Sequence, residues 1–182
     1  MAQQATVYRF PVQLSHVDRG VYENIDVRMA RHPSETERFL LARLLAYCLY
    51  LEEGLAFSKG GLSSPDEPAL SIHTLDGRLT AIIEVGSPSA ERLHKATKAS
   101  PRVVVVTHND PALLVADVAA KKVHKASEIE CIALDPAFLD ALAAHIGDRG
   151  TALELTVTDG NVYVVVAGST IETTLRKVAL AG

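Results

Sequence analysis

The chain has 182 residues, 48% hydrophobic and 22% charged, with a formal net charge of −4, which suits one domain, or one domain with an appendage, around a full core. The negative balance excludes a protein that is basic throughout, so any nucleic-acid face is local. No apolar run reaches the ~18 residues of a membrane span, and MAQQATVYRF lacks the pattern of a signal peptide, so a cytoplasmic protein with no membrane attachment is expected.

Residues 5–14 and 21–30 carry β-formers in alternation, with Val21, Glu23, Ile25, Val27 and Met29 on one face. The link Ser15–Gly20 is turn-like, so 1–30 is predicted as an N-terminal antiparallel hairpin. Pro11 lacks the N–H a ladder needs and predicts an edge or a bulge. Ser34 and Glu37 then have the spacing of a capping box. The run to Glu53 holds no Gly or Pro, and Gly54 stops it. Leu41, Leu44, Leu45, Cys48, Leu51 and Leu55 recur at helical spacing and mark the longest helix. Residues 54–64 read as a flexible connection, in which Lys59-Gly60-Gly61 lacks the spacing of a phosphate loop.

Leu75-Asp76-Gly77-Arg78 is a hairpin turn between two short strands. Ser87 and Pro88 open a second helix, to about Ala99. Residues 102–107, RVVVVT, read as a strand buried on both faces, parallel to its predecessor through a right-handed crossover. Pro111 to Lys122 is a third helix with a basic end. Ile129 to Leu134 is a short strand, and Asp135-Pro136 caps a fourth helix to about His145. The rhythm makes 31–146 an α/β core. Residues 151–178 read as an antiparallel meander turning at Asp159-Gly160 and Ala167-Gly168, either an appendage or a partner for the N-terminal hairpin. The expected fold is α/β with a mixed sheet, a single domain over 1–182. Cys48 and Cys131 lie in apolar runs and read as buried free thiols of a reducing compartment.

A two-residue turn at Asp76-Gly77 would pair Glu84 with Ala69, Ile83 with Leu70, Ile82 with Ser71, Ala81 with Ile72 and Thr80 with His73. One face is then apolar, and the other carries Glu84, Ser71, His73 and Thr80. Glu84, flanked by Ile82, Ile83 and Val85, needs a cation or hydrogen-bond donors. Glu67 shares its face in a straight strand. Asp66 does not, and lies ~10 Å past Ala69, but Pro65 and Pro68 bend the piece so that either carboxylate can reach. Two carboxylates from separate segments plus water suit Mg²⁺. The other reading is a solvated acidic loop beside a salt-bridged glutamate. The seven histidines are scattered without metal-ligand spacing, His94 and His124 reading as solvated helix faces, and no G-x-S-x-G elbow is present.

Ala30-Arg31-His32-Pro33-Ser34-Glu35-Thr36, Pro65-Asp66-Glu67-Pro68, Ile83-Glu84-Val85-Gly86 with Pro88, and Arg92-Leu93-His94-Lys95-Ala96 together resemble the YaeQ family of bacterial proteins. So does the opening ATVYRF, and the resemblance spans essentially the whole chain. It implies a variant of the PD-(D/E)xK superfamily, with a restriction-endonuclease-like α-β-β-β-α-β core. It also implies roles. Asp66 or Glu67 matches the acid before the hairpin, Glu84 the acid of the (D/E)xK strand, and Glu35 the additional acid many members bring. Gly86 stands where the superfamily has lysine. Lys95, with Arg92 a turn away, is the candidate replacement, although Glu91 and Lys95 also have the spacing of an ordinary surface pair.

The implied function is a Mg²⁺-dependent nuclease-like protein acting on phosphodiester bonds of nucleic acid. Metal ligands would come from Asp66, Glu84 and Glu67. Lys95 would stabilise developing charge, and Glu35 would bind metal through water or position the nucleophile. Nucleic acid would approach past His32, Arg43, Lys59, Arg92 and Lys98. The alternative is a non-catalytic binding or regulatory protein that keeps the fold and contacts nucleic acid or a protein partner. The sequence leaves oligomeric state open.

Overall fold

The alternating N-terminal segments form the expected hairpin in the computed structural model, which describes residues 4–60 and 65–182. Strand β1 (Thr6–His16) pairs antiparallel with β2 (Val21–Arg31) along its whole length. The two are joined by a single 3-10 turn, Val17–Arg19. Pro11 sits one residue before β1 begins parallel pairing at Val12↔Leu153. The Arg9 N–H donates to the Arg149 carbonyl at 2.9 Å, away from β2. By alternation the nitrogen of Pro11 also faces away from β2, so the proline breaks no bond of the hairpin.

Contacts group the chain into two compact units. The first holds residues up to Leu49 together with Leu134–Leu175. Its sheet has the order β10-β9-β8-β1-β2, with β8 (Leu153–Thr158), β9 (Asn161–Val166) and β10 (Ser169–Thr174). The meander is therefore a partner of the N-terminal hairpin, joined through the parallel β1–β8 pair. Tyr8, Phe10, Val12 and Leu14 of β1 alternate inward with Leu153, Leu155 and Val157 of β8, all buried.

Helix α1 spans Glu37–Leu49, shorter at both ends than the predicted run from Ser34 to Glu53. Thr36 caps it instead of Ser34: its Oγ1 accepts the Phe39 N–H at 3.1 Å. Ser34 is taken by the His32 ring, Oγ to Nδ1 2.6 Å. Leu51 and Leu55 fall beyond the helix. The helix is buried on nearly every side, including Leu40, Ala42 and Ala46, so its leucines do not form a one-sided stripe. Helix α4 (Pro136–Ala143), capped by Asp135, packs against α1 and β10.

The second unit is Tyr50–Ala133 with Arg176–Gly182. Its sheet runs β11-β7-β6-β5-β4-β3. Strand β3 (Leu55–Phe57) occupies the connection expected to be flexible and pairs with β4 (Leu70–His73). The Lys59-Gly60-Gly61 piece runs into 61–64, outside the described residues. Between β4 and β5 (Leu79–Val85) the expected register holds for Leu70↔Ile83, Ser71↔Ile82 and Ile72↔Ala81, then shifts to His73↔Leu79. Thr74 causes the shift. Its N–H reaches the Arg78 carbonyl (2.9 Å) and its carbonyl takes the Gly77 N–H (2.9 Å), which makes the turn longer than two residues. Thr80 becomes the extra residue and bonds its hydroxyl to the Ile72 carbonyl at 3.0 Å instead of facing His73.

Helix α2 (Ala90–Ala99) is capped by Ser89, whose hydroxyl accepts the Arg92 N–H, and not by Ser87. Strands β6 (Arg102–Thr107) and β7 (Glu130–Ala133) follow in parallel with β5, separated by α3 (Pro111–Lys121). Val103 to Val106 are all at most 4% exposed, as a strand covered on both faces requires. Leu93, Ala96, Leu114 and Val118 pack on one face against Ile82, Val103 and Val105. The short β11 (Arg176–Lys177) adds antiparallel to β7, a pairing the sequence did not announce. The result is a mixed α/β fold with two mixed sheets and four α-helices among the described residues. Both cysteines are free and buried. Burial pushes the Cys48 thiol up to about 12 and that of Cys131 to about 11, so neither is poised to react.

Candidate functional site

Glu84 lies near the end of β5, on the same side as Ile82. The link Gly86–Ser89 reverses the chain, so the first turn of α2 comes back to the end of β5. Arg92 in that turn places Nε 2.7 Å from Glu84 Oε1. Its two terminal nitrogens donate to the carbonyls of Pro65 and Glu67. One guanidinium thus holds the acidic segment, β5 and α2 together. Around it is a cleft of about 340 Å³ lined by Asp66, Ile82, Glu84, Glu91, Arg92 and Lys95 among others.

The Glu84 side chain is 7% exposed and that of Arg92 28%. Burial raises the Glu84 carboxyl above its ordinary value, and the hydrogen bond and charge of Arg92 oppose the rise without cancelling it. Glu67 is different. Its carboxylate accepts from the Ser58 hydroxyl (2.5 Å) and the Gly60 N–H (3.3 Å), which hold it below the usual range. Its backbone faces Arg92 while its side chain faces the loop. Asp66 lines the cleft, and no hydrogen bond or ion pair engages its carboxylate among the described residues. Lys95 also lines the cleft, with Nζ 3.1 Å from Glu91 in an i,i+4 pair whose side chains are 75% and 76% exposed.

Glu35 belongs to the first unit. It is buried, with Oε1 2.7 Å from Nε of Arg43 and Oε2 accepting the His32 N–H at 3.1 Å. Arg43 is correspondingly buried, 2.6 Å from Glu35 through Nη2, and also donates to the Ala30 carbonyl. It therefore does not stand on an approach path for nucleic acid, where the sequence put it. The cation that meets Glu84 is Arg92, which the sequence offered as a neighbour of Lys95 and on the approach path of nucleic acid, not as the partner of Glu84. The available signal was position: Arg92 falls in the first helical turn after the strand that carries Glu84.

No group of three or more His, Cys, Asp or Glu side chains converges in metal-binding geometry among the described residues. Three carboxylates line the cleft: Asp66 is unengaged, Glu84 meets Arg92 through Oε1, and Glu91 is paired with Lys95, which leaves Asp66 and Glu84 as the donor set. That set fits a hard cation which keeps most of its water, and does not fit a closed zinc site.

The YaeQ protein family model matches residues 1–175. "Uncharacterized protein YaeQ" of Salmonella typhi is 30% identical over 176 residues, 94% of each chain. Its namesake in Escherichia coli K12 is 30% identical over 171 residues, 90% of each. The crystal structure of YaeQ protein from Pseudomonas syringae superposes with a TM-score of 0.86 at 34% identity, covering 95% of both chains. That from Xanthomonas axonopodis pv. citri gives 0.83 at 32%, covering 95% of this chain and 97% of the other.

Proposed function

This chain belongs to the YaeQ family, and we propose that it is a Mg²⁺-dependent nuclease-like protein acting on phosphodiester bonds of nucleic acid in the cleft of Asp66, Glu84 and Arg92. The observation that carries this reading is one cleft lined by both Asp66 and Glu84, in which Arg92 is bonded to Glu84. The order α1, β3, β4, β5, α2, β6 supports a restriction-endonuclease-like core of the PD-(D/E)xK kind. In that comparison Glu84 is the strand acid and Asp66 the acid before the hairpin. Glu67 is the weaker candidate for that place, because Ser58 and Gly60 hold its carboxylate. The lysine expected two residues past Glu84 is replaced by Gly86, at φ 92. Arg92 supplies the positive charge from the next helix.

The chemistry a hard cation supplies in such a site is polarisation of the phosphodiester and a more acidic bound water. The chain's own residues do the rest. Asp66 and Glu84 offer the ligand oxygens. Arg92 can transfer a donor from a backbone carbonyl to a phosphate oxygen without losing Glu84, since a guanidinium has five N–H groups in a fork. Lys95 stands on the same wall and adds a second charge when a phosphate competes with Glu91. Glu35, held by Arg43, acts as a structural acid of its own unit in this reading.

A second reading is favoured by one specific observation. The charges of Glu84 and Lys95 are already balanced by Arg92 and Glu91. A non-catalytic binding or regulatory protein that keeps this cleft would show the same balance. Incubation with labelled DNA and RNA, with Mg²⁺ or Mn²⁺, separates the two. Cleavage that disappears in Glu84→Gln and Asp66→Asn supports the enzyme. Metal-independent binding with no cleavage by the wild-type protein overturns it and leaves the binding protein.

A further inference from the structure

Several cations of the second unit are neutralised locally. Arg78 meets Asp76, Arg92 meets Glu84, Lys95 meets Glu91 and Arg102 meets Glu52 and Glu130. The corner where α3 ends beside α2 is different. Lys98, Lys121 and Lys122 are exposed there, and none is ion-paired among the described residues. Lys125 follows three residues after Lys122 and meets Glu128 at a loose 3.6 Å.

Two histidines fix this corner in place. The His124 N–H donates to His94 Nδ1 at 3.1 Å, and the two rings meet edge to face, centroids 6.2 Å apart at 72°. The Nδ1 of His94 is thereby an acceptor, so the neutral ring presents its Nε2–H as a donor. Lys98 stands one helical turn beyond His94 on the same flank of α2. Lys125 and Thr97 line one small cavity, so the loop after α3 lies beside the end of α2. The chain turns sharply here, since Lys122 and Lys125 both adopt left-handed backbone, φ 49 and 51. Four lysines and two imidazoles belong to this corner, where Glu128 meets Lys125, and Asp117, one turn before Lys121, is taken up by the Ala90 N–H at 3.0 Å. The opposite flank of α2, through Arg92, Lys95 and Ala99, lines the cleft of Glu84.

We propose that this corner, His94, Lys98, Lys121, Lys122, His124 and Lys125, grips the phosphate backbone of duplex nucleic acid, positioning it across α2 toward the cleft. The inference rests on the phosphodiester reading of that cleft. The chemistry of the patch selects the partner. It offers point charges and N–H donors, which hold a phosphate backbone without reading its sequence. No Phe, Tyr or Trp stands between Ala90 and Glu130, so there is no stacking platform for unpaired bases and no aromatic anchor for a peptide.

The test is fluorescence anisotropy with a labelled duplex, in EDTA so that cleavage cannot intervene. Wild-type protein is compared with Lys98→Ala/Lys121→Ala/Lys122→Ala. The three lysines are exposed, and circular dichroism verifies that the triple variant folds. We expect the triple variant to bind at least ~10-fold more weakly at low salt. Its plot of log affinity against log salt should be shallower by ~0.9 for each phosphate that the lysines no longer neutralise. Equal affinity and slope for the triple variant overturn the proposal, as does absence of wild-type binding at low salt. Displacement of the duplex by poly-glutamate as effectively as by unlabelled duplex also overturns it, in favour of an acidic protein partner. Cleavage is read separately with Mg²⁺: binding without cleavage defeats the enzyme and leaves this surface standing.

Discussion

Arg92 lies across Glu84, its Nε 2.7 Å from Oε1, while its remaining nitrogens hold the carbonyls of Pro65 and Glu67. The same side chain neutralises the buried acid of the cleft and sets the position of the segment that carries Asp66. A lysine could neutralise the acid, but its ammonium lacks the planar fork that holds the carboxylate and both carbonyls at once. Site geometry and local stability are therefore coupled through one residue.

Arg92→Ala should cost ~2–4 kcal/mol in urea unfolding, because it strands a buried carboxylate and frees two carbonyls. Glu84→Gln should cost less, and the double variant should be more stable than the two losses summed predict. Strict additivity would mean the pair is not coupled.

The same burial gives a pH signature. Glu84 has its folded pKa raised above the unfolded value, with burial the larger cause. The native state therefore holds the proton more tightly than the unfolded chain. Its contribution is fully present below the unfolded carboxylate value, ~4.3, and is lost as pH rises through the folded value. Unfolding free energies measured at intervals from acid to neutral pH should carry this falling component, and Glu84→Gln should remove it. An unchanged slope in the variant would assign the component to another group.

Much of this was legible in the sequence, for reasons that can be named. Alternation gave the N-terminal hairpin and the meander, and Asp-Gly gave the β4–β5 register as far as Ile72↔Ala81. The register broke at His73 because a side chain, Thr74, reorganised the turn, and period-two counting has no term for that. The cap of α1 moved from Ser34 to Thr36 because His32 competes for the Ser34 hydroxyl. At the cleft, the apolar flanks of Glu84 announced a buried acid that needed a partner. The identity of the partner was not announced, because Arg92 reaches it through a chain reversal and not through strand or helix spacing. The straight-strand rule put Glu67 on the face of Glu84, yet Ser58, nine residues earlier, draws its carboxylate away. His94 and His124 are 30 residues apart, and only the packing of α2 beside the end of α3 brings them together.

Two ion pairs of similar length should behave very differently. Glu35 and Arg43 have side chains 1% and 9% exposed, so Glu35→Ala should cost ~3–5 kcal/mol by leaving a buried guanidinium without its carboxylate. Lys95 and Glu91 are largely in water, and Lys95→Ala should stay within ~0.5 kcal/mol of wild type. If Lys95→Ala nevertheless lowers Mg²⁺-dependent cleavage, its role is in the reaction and not in the fold. Denaturation and cleavage assays on the same samples make that separation.

Gly54 and Gly77 both have positive φ, 88 and 85, yet their substitution should differ in cost. A Cβ on Gly77 meets nothing within 4 Å, so Gly77→Ala should lose only the left-handed strain, ~1–2 kcal/mol. A Cβ on Gly54 would stand 1.9 Å from the carbonyl oxygen of His73. The Gly54 carbonyl also accepts the His73 N–H at 3.2 Å, where β3 begins to pair with β4. Gly54→Ala must therefore push these strands apart as well as strain its own backbone, and should cost clearly more, with early loss of amide-exchange protection at His73. Equal losses of thermal stability in the two variants would show that the close approach at His73 relaxes freely.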